Sequence, residues 1–99
     1  MKLADLEPQL IAWKPKGKRV VISLDEAQGL YFLCPKGCGH LVVVWFSDRG
    51  VPESEAPGPG RWTPLGTGLS DLTLTPSINL SGPGCGWHGF VVDGEVRDA

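Results

Sequence analysis

Residues 29–46 read GLYFLCPKGCGHLVVVWF, and this stretch decides how the chain folds. Two runs rich in β-branched and aromatic residues, 29–33 and 40–46, flank a short segment that carries two cysteines and two glycines. Runs of this length and composition predict strands joined by a tight connection. The continuous apolar character of 40–46 predicts burial on both faces, or on one face with a partner surface on the other.

Short strands are also predicted on both sides of this pair. Pro64 cannot donate a ladder hydrogen bond, so its strand belongs at a sheet edge. Asp93-Gly94 between two apolar pieces predicts a hairpin with a two-residue type I′ turn. The full set of predicted strands is 19–24, 29–33, 40–46, 61–65, the alternating run 71–80, and the two arms of 90–96. The sequence therefore predicts a mostly β fold built on a small antiparallel sheet.

Length and composition indicate one small domain spanning residues 1–99. A chain of 99 residues has no room for a second independent core. Its 14 glycines and 9 prolines favour many turns over long helices. We expect residues 1–18 to be a lead-in segment, because Pro8 limits any helix there. Residues 47–60, which are rich in proline and glycine, are expected to form a long loop.

The N-terminus and the cysteine count bear on the compartment. Asp5, Glu7 and Pro8 interrupt the first apolar piece, so it lacks the uninterrupted core of a signal peptide. No stretch approaches the roughly 20 apolar residues that span a bilayer. Three cysteines, an odd number without a secretion signal, argue against a disulfide framework. We therefore expect a soluble cytoplasmic protein with reduced thiols.

Two short pairs of potential ligands predict a metal site. Cys34 and Cys38 form the first pair, and Cys85 and His88 form the second. Thiolate and imidazole are the ligands of tetrahedral zinc, and structural zinc sites use spacings of two to four residues. A glycine follows each pair, where a turn must bend and leave backbone N–H groups facing the sulfurs. The sequence predicts one structural Zn²⁺ per chain in a zinc-ribbon-like centre with two knuckles.

His40 is the alternative fourth ligand of this site. It lies two residues after Cys38 and could replace His88, although the spacing of Cys85 and His88 suits a knuckle better. Four protein ligands would leave no position for a catalytic water. The expected zinc is therefore closed and structural.

Features outside the metal site give little support for catalysis or nucleic-acid binding. Ser70, Ser77 and Ser81 lack the context of a nucleophile elbow, so no catalytic residue is predicted. The basic run of Lys14, Lys16, Lys18 and Arg19 could contact phosphates, but a net charge of −2 gives no general attraction to nucleic acid. Trp87 lies between two predicted ligands, where its ring either contacts a protein partner or shields the zinc.

The order of several motifs resembles a known family. CPKGCGH and its apolar strand, WTPL, LTPSINL and CGWHGFVVDGEV occur in sequence over about residues 30–97. This arrangement is similar to a family of small zinc-binding proteins of bacteria, phages and prophages, some of them encoded beside bacterial ubiquitin-like conjugation genes. The resemblance implies that Cys34, Cys38, Cys85 and His88 are the metal ligands. In that family a cysteine often occupies the position of Lys36, and an aromatic residue that of Gly89.

These observations favour a non-enzymatic, zinc-stabilised interaction module that binds a protein partner. One alternative is a zinc-dependent hydrolase or an accessory factor in a bacterial ubiquitin-like conjugation pathway. Another is a zinc ribbon that binds nucleic acid through the basic run.

Overall fold

Two antiparallel sheets make up the molecule in the computed structural model, which describes residues 1–15, 17–37, 39–52, 61–79 and 86–99. Within those ranges the helical segments are two short 3₁₀ turns, Leu3–Leu6 and Leu69–Asp71. The mostly β fold predicted from the sequence is confirmed, with two small sheets where one was expected. Half of the expected zinc-ribbon-like centre lies outside the described residues, since Cys38 and Cys85 belong to the gaps.

Each sheet has four strands within the described residues. The first has the order β2-β1-β3-β4 and is built from β1 (Gln9–Lys14), β2 (Gly17–Val21), β3 (Gly29–Leu33) and β4 (Leu41–Trp45). The second has the order β5-β6-β7-β8 and is built from β5 (Thr63–Leu65), β6 (Thr73–Asn79), β7 (His88–Val92) and β8 (Glu95–Asp98). The strand predicted at 29–33 is confirmed with the same bounds, and β5 is an edge strand as Pro64 predicts.

The N-terminal region differs from its expected role as a lead-in. Residues 9–14 form β1, which pairs with both β2 and β3. Leu10 and Ala12 enter the main core, while Ile11 is fully buried outside that cluster. A strand covered on both faces has no apolar–polar alternation, which is the pattern that identifies a strand in sequence. The loop expected at 47–60 is only partly visible, because residues 53–60 lie outside the described residues.

One hydrophobic core joins the two sheets. Phe32 of β3 meets Trp87, which precedes β7, edge to face with ring centroids 6.3 Å apart. Both side chains are almost completely buried. The inner residues of β4, Val42 and Val44, and Val91 of β7 complete this layer. The sheets therefore pack face to face through side chains that alternate along their strands.

The opposite face of the first sheet carries apolar side chains that remain exposed. Leu41 and Val43 are 53% and 39% exposed, whereas Trp45, at the end of β4 on the same face, is buried. Val43 is paired with half-buried Tyr31 on β3. β4 is therefore buried on its inner face and, at Trp45, also on its outer face. A partner surface over Leu41 and Val43 stays a prediction.

The second sheet ends in the predicted hairpin. Asp93 and Gly94 have φ angles of 51° and 76°, and Val92 pairs with Glu95 across the turn. Positive φ at both central residues is the signature of a type I′ turn. The hairpin prediction is confirmed.

Across the described residues, no helix has both the length and the apolar composition required to cross a membrane.

Candidate active site

An irregularity in β6 is the basis of the candidate site. Leu74 pairs with Val91 and Ile78 pairs with Gly89, so three residues of β6, 75–77, oppose the single residue Phe90 of β7. A bulge of this kind breaks the hydrogen-bond ladder, bends the strand and redirects side chains. Because β6 lies between β5 and β7, Pro76 is tolerated there only where the ladder is interrupted. The bulge therefore gives Ser77 an orientation that regular alternation would not.

Ser77 and His88 meet across this irregular pair of strands. The Ser77 Oγ lies 3.1 Å from His88 Nε2, which is hydrogen-bond distance. His88 begins β7 and is paired with Asn79, two residues beyond Ser77. Ser77 is half-buried and His88 is exposed, so solvent and a bound chain can reach both groups.

A hydroxyl held against an imidazole nitrogen is the minimal unit of nucleophilic catalysis. In the neutral tautomer with the proton on Nδ1, the Nε2 of His88 accepts the hydrogen bond from the Ser77 Oγ–H. An imidazole nitrogen in this position has the geometry required of a general base for attack by the hydroxyl on a carbonyl carbon. Among the described residues no carboxylate hydrogen-bonds to the His88 ring. The described site is therefore a serine–histidine dyad.

The residues that flank His88 fix its position. Trp87 donates its indole N–H to Asp98 Oδ1 at 2.8 Å and is only 1% exposed. A Cβ on Gly89 would collide with the Arg97 carbonyl oxygen and with the Trp87 ring, so glycine allows this close approach of β8. The Trp87 ring forms part of the core, so the exposure on which a partner contact would depend is not observed. The partner contact itself stays a prediction.

Cys34, the described member of the first predicted ligand pair, lies at the start of a tight turn between β3 and β4. The backbone N–H of Cys34 donates to His40 O at 2.9 Å, and the Gly37 N–H donates to Cys34 O at 3.0 Å. Gly37 and Gly39 both have positive φ, as a sharply bent turn requires. Cys34 is buried at 2% exposure and is disulfide-bonded, with its partner outside the described residues. Its bonded state differs from the reduced thiols expected from the sequence.

The remaining predicted ligands do not form a cluster that can be described. Cys38 and Cys85 lie outside the described residues, and His88 is engaged with Ser77. Within the ranges given above, no group of three histidine, cysteine, aspartate or glutamate side chains is placed to hold a metal ion. Zinc binding by Cys34, Cys38, Cys85 and His88 stays a prediction.

The basic run is exposed at one end of the first sheet. Lys14, Lys18 and Arg19 project from the β1–β2 hairpin, where Trp13 pairs with Lys18. Lys16 lies outside the described residues. The structure thus brings three of the four cations to one hairpin, and their contact with phosphate stays a prediction.

Ser77 is the functional candidate that sequence reasoning discounted. Its sequence lacks the context of a nucleophile elbow, which joins a strand to a helix. In the structure Ser77 lies within β6. The usable signal was Pro76, because a proline inside an alternating run implies a bulge in any non-edge strand. Nothing in the sequence, however, pairs that bulge with His88 rather than with another polar residue.

Comparison with known proteins identifies the family of this chain. A protein-family model described as "Bacterial ubiquitination-like system serine protease (BubE)" matches residues 6–99. No curated protein and no solved structure matches the chain in the other two comparisons. The link to bacterial ubiquitin-like systems that the motif resemblance implied is confirmed. Because the match covers nearly the whole sequence, the chain belongs to the BubE family of bacterial ubiquitination-like systems.

Proposed function

We propose that this protein is a serine peptidase of a bacterial ubiquitin-like system, with Ser77 as nucleophile and His88 as general base. The observation that carries the proposal is the 3.1 Å contact between Ser77 Oγ and His88 Nε2. Membership of a family described as a serine protease supports the same chemistry. This proposal replaces the non-enzymatic interaction module expected from the sequence. It keeps the alternative expectation, a component of a bacterial ubiquitin-like pathway, but assigns the chemistry to serine and not to zinc.

The proposed reaction follows from the two side chains. The Ser77 Oγ attacks the carbonyl carbon of a peptide bond while His88 Nε2 takes the hydroxyl proton. His88 then gives that proton to the leaving amine, which departs and leaves an acyl group on Ser77. Water, deprotonated by His88, attacks the ester carbonyl. The bond between the acyl carbon and Ser77 Oγ then breaks, His88 returns the proton to Ser77 Oγ, and the carboxylate product leaves. The exposed position of His88 lets both leaving group and water reach it.

The substrate belongs to the protein class. A component of a multi-protein modification system is expected to have protein partners, and the family description supports this expectation. We propose that the cleaved bond lies in a flexible segment of such a partner, since the dyad is at the surface of a sheet and an extended chain can reach it there.

A fluorophosphonate probe tests the dyad without knowledge of the substrate. Ser77 Oγ displaces fluoride to form an oxygen–phosphorus bond, and peptide mapping by mass spectrometry locates the adduct. We expect Ser77→Ala to abolish labelling and His88→Ala to slow it by on the order of 10³-fold, since the base no longer removes the proton. Ser70→Ala is the matched control, because Ser70 is exposed on a 3₁₀ turn and makes no side-chain hydrogen bond to the described residues.

Two outcomes would contradict the proposal. One is wild-type protein that carries no adduct at Ser77 after prolonged exposure to the probe. The other is a Ser77→Ala variant that hydrolyses substrates of the system as fast as wild type.

We also propose the predicted zinc site, with thiolates from Cys34, Cys38 and Cys85. The contact of His88 Nε2 with Ser77 favours His40 as fourth ligand, and the His40 backbone carbonyl, which accepts the Cys34 N–H at 2.9 Å, keeps the two residues adjacent. A disulfide at Cys34 and a zinc thiolate use the same sulfur atom, so they are alternative states of this site. Zinc there would stabilise the fold and take no part in the chemistry at Ser77.

A further inference from the structure

The indole of Trp62 contacts the backbone of the candidate nucleophile. Trp62 Nε1–H donates to the carbonyl oxygen of Ser77 at 3.3 Å. Ser77 lies in the bulge of β6, where regular pairing with β7 is interrupted. We propose that Trp62 is a positioning residue, which holds the bulge so that Ser77 Oγ faces His88 Nε2. This inference rests on the proposed peptidase function.

The backbone of Trp62 is itself held by the first sheet. The Trp62 N–H donates to Trp45 O at 3.1 Å, and Ser47 N–H donates to Trp62 O at 2.8 Å. These two bonds form a parallel bridge between Phe46 and Trp62 directly after β4. Ser47 Oγ also lies 3.4 Å from Trp62 O. Trp62 is thus fixed on one sheet and reaches Ser77 on the other.

The place of Trp62 in the chain explains why an indole makes this contact. β5 pairs with β6 only from Thr63 to Leu65, opposite residues 73–75. One residue earlier, the chain turns away from β6 to bridge Phe46. This turn leaves a gap beside β6, which the Trp62 side chain spans. Its indole N–H donates to the carbonyl oxygen of Ser77, which lies beyond the end of the β5–β6 ladder. A buried or half-buried carbonyl requires such a partner.

Removal of this donor should disturb the dyad more than the fold. A nucleophile displaced by about 1 Å loses on the order of 10²-fold in rate. Trp62→Phe keeps an aromatic ring and loses the N–H. Trp62→His keeps a ring N–H at the corresponding position of a five-membered ring and loses the benzene ring. The two variants separate the hydrogen bond from the packing.

The test is the second-order rate constant for fluorophosphonate labelling of Ser77, measured together with the thermal midpoint. We expect Trp62→Phe to label about 10- to 100-fold more slowly at nearly unchanged midpoint. Trp62→His should regain most of the rate despite a lower midpoint. The matched control is Trp13→Phe, because the buried Trp13 Nε1 has no hydrogen-bond partner among the described residues and its loss should leave the labelling rate unchanged.

Each result separates this inference from the proposed function. Labelling of Ser77 at wild-type rate in Trp62→Phe overturns the positioning role and leaves the peptidase intact. Equal slowing in Trp62→Phe and Trp62→His overturns it too, since packing and not the N–H would then be responsible. Absence of any Ser77 adduct in wild type overturns the peptidase and, with it, the role of Trp62. If Trp62→Phe does not fold, the labelling rate of Trp62→His decides the question. A rate near that of wild type supports the positioning role, and a rate about 10- to 100-fold lower overturns it.

Discussion

At the scale of single residues, hydrogen-bond geometry decides which of the polar side chains can do chemistry. Six serines and two histidines occur in the chain, but the dyad consists of Ser77 and His88 because a bulge brings their side chains to 3.1 Å. Ser23, by contrast, bonds Glu26 within its own turn. The same residue type is thus structural in one place and a candidate nucleophile in another.

The Asp71 carboxylate allows the pH dependence of stability to be tested at the scale of a single residue. Asp71 Oδ1 accepts the backbone N–H groups of Thr67 at 2.9 Å and Gly68 at 3.0 Å, and its Oδ2 accepts the Thr67 hydroxyl at 2.9 Å. These bonds hold the pKa of Asp71 below its ordinary value of 3.8, and the bond from the Thr67 backbone N–H contributes most.

We expect the free energy of unfolding of Asp71→Asn to fall less steeply than that of wild type as the pH is lowered into the acid range. A carboxyl group whose folded pKa is depressed stabilises the protein above its ordinary pKa, and this contribution is lost as the pH falls through the folded pKa. The wild-type advantage over Asp71→Asn should therefore be full at neutral pH and decline below about pH 4. Urea unfolding of both proteins over this range measures it.

Thr67→Ala is the control for the Asp71 prediction. It removes the hydroxyl donor and keeps both backbone donors, so most of the acid-dependent difference should remain. A wild-type advantage that grows as the pH falls below about 4 would contradict the assigned direction.

At the scale of elements, the β7–β8 hairpin shows how a turn is set by both its residues and its neighbours. Asp93 and Gly94 supply the positive φ angles of the turn. Gly94 also donates its N–H to Leu72 O at 2.8 Å and accepts the Leu3 N–H at 2.9 Å. The turn thus links the sheet that carries His88 to the first 3₁₀ turn and to Leu72, which directly follows the second.

We expect Gly94→Ala to reduce the free energy of unfolding by about 2–4 kcal/mol. A Cβ would favour negative φ and would collide with the carbonyl oxygen of Ser70. Chemical denaturation monitored by tryptophan fluorescence measures the change. Asp93→Asn is the matched control in the same turn, because asparagine tolerates positive φ, and its effect should stay within about 0.5 kcal/mol. Equal stability of Gly94→Ala and wild type would show that the turn relaxes without cost.

At the scale of the whole molecule, one core and one bridge couple the two sheets. Phe32 and Trp87 join them through the core, while Trp62 bridges Phe46 on one side and contacts Ser77 on the other. Cys34 belongs to this same core, at the end of β3. The proposed zinc site would therefore act on the stability of the complete fold.

We expect zinc removal from reduced protein to lower the thermal midpoint by at least about 5 °C. In a domain of this size the binding free energy of a structural metal is part of the folding free energy, and about 1 kcal/mol shifts the midpoint by 4–8 °C. Metal content and free thiols, measured before and after chelation, accompany the thermal scan. Cys34→Ser should purify without zinc, His40→Ala with reduced zinc, and His88→Ala with a full equivalent.

An unchanged midpoint after the metal has demonstrably left would contradict the structural role of zinc. Loss of zinc from His88→Ala, with retention in His40→Ala, would instead assign His88 to the metal and leave Ser77 without its base.

Local sequence patterns determined much of the fold. The apolar composition of 29–33 and 41–45, the Asp93-Gly94 dipeptide and Pro64 each specify a strand, a turn or an edge through short-range sterics and hydrogen bonding. β1 escaped prediction because a strand buried on both faces loses the alternation that marks strands.

The candidate site depended on tertiary structure. The sequence by itself determined a mostly β chain with a cysteine-bearing turn at Cys34, since these features arise from neighbouring residues. Only the packed structure decided that Ser77 faces His88, that Trp87 is buried, and that Trp62 reaches across to Ser77. Those contacts depend on strand register, the β6 bulge and the approach of two sheets, which residues distant in sequence determine together.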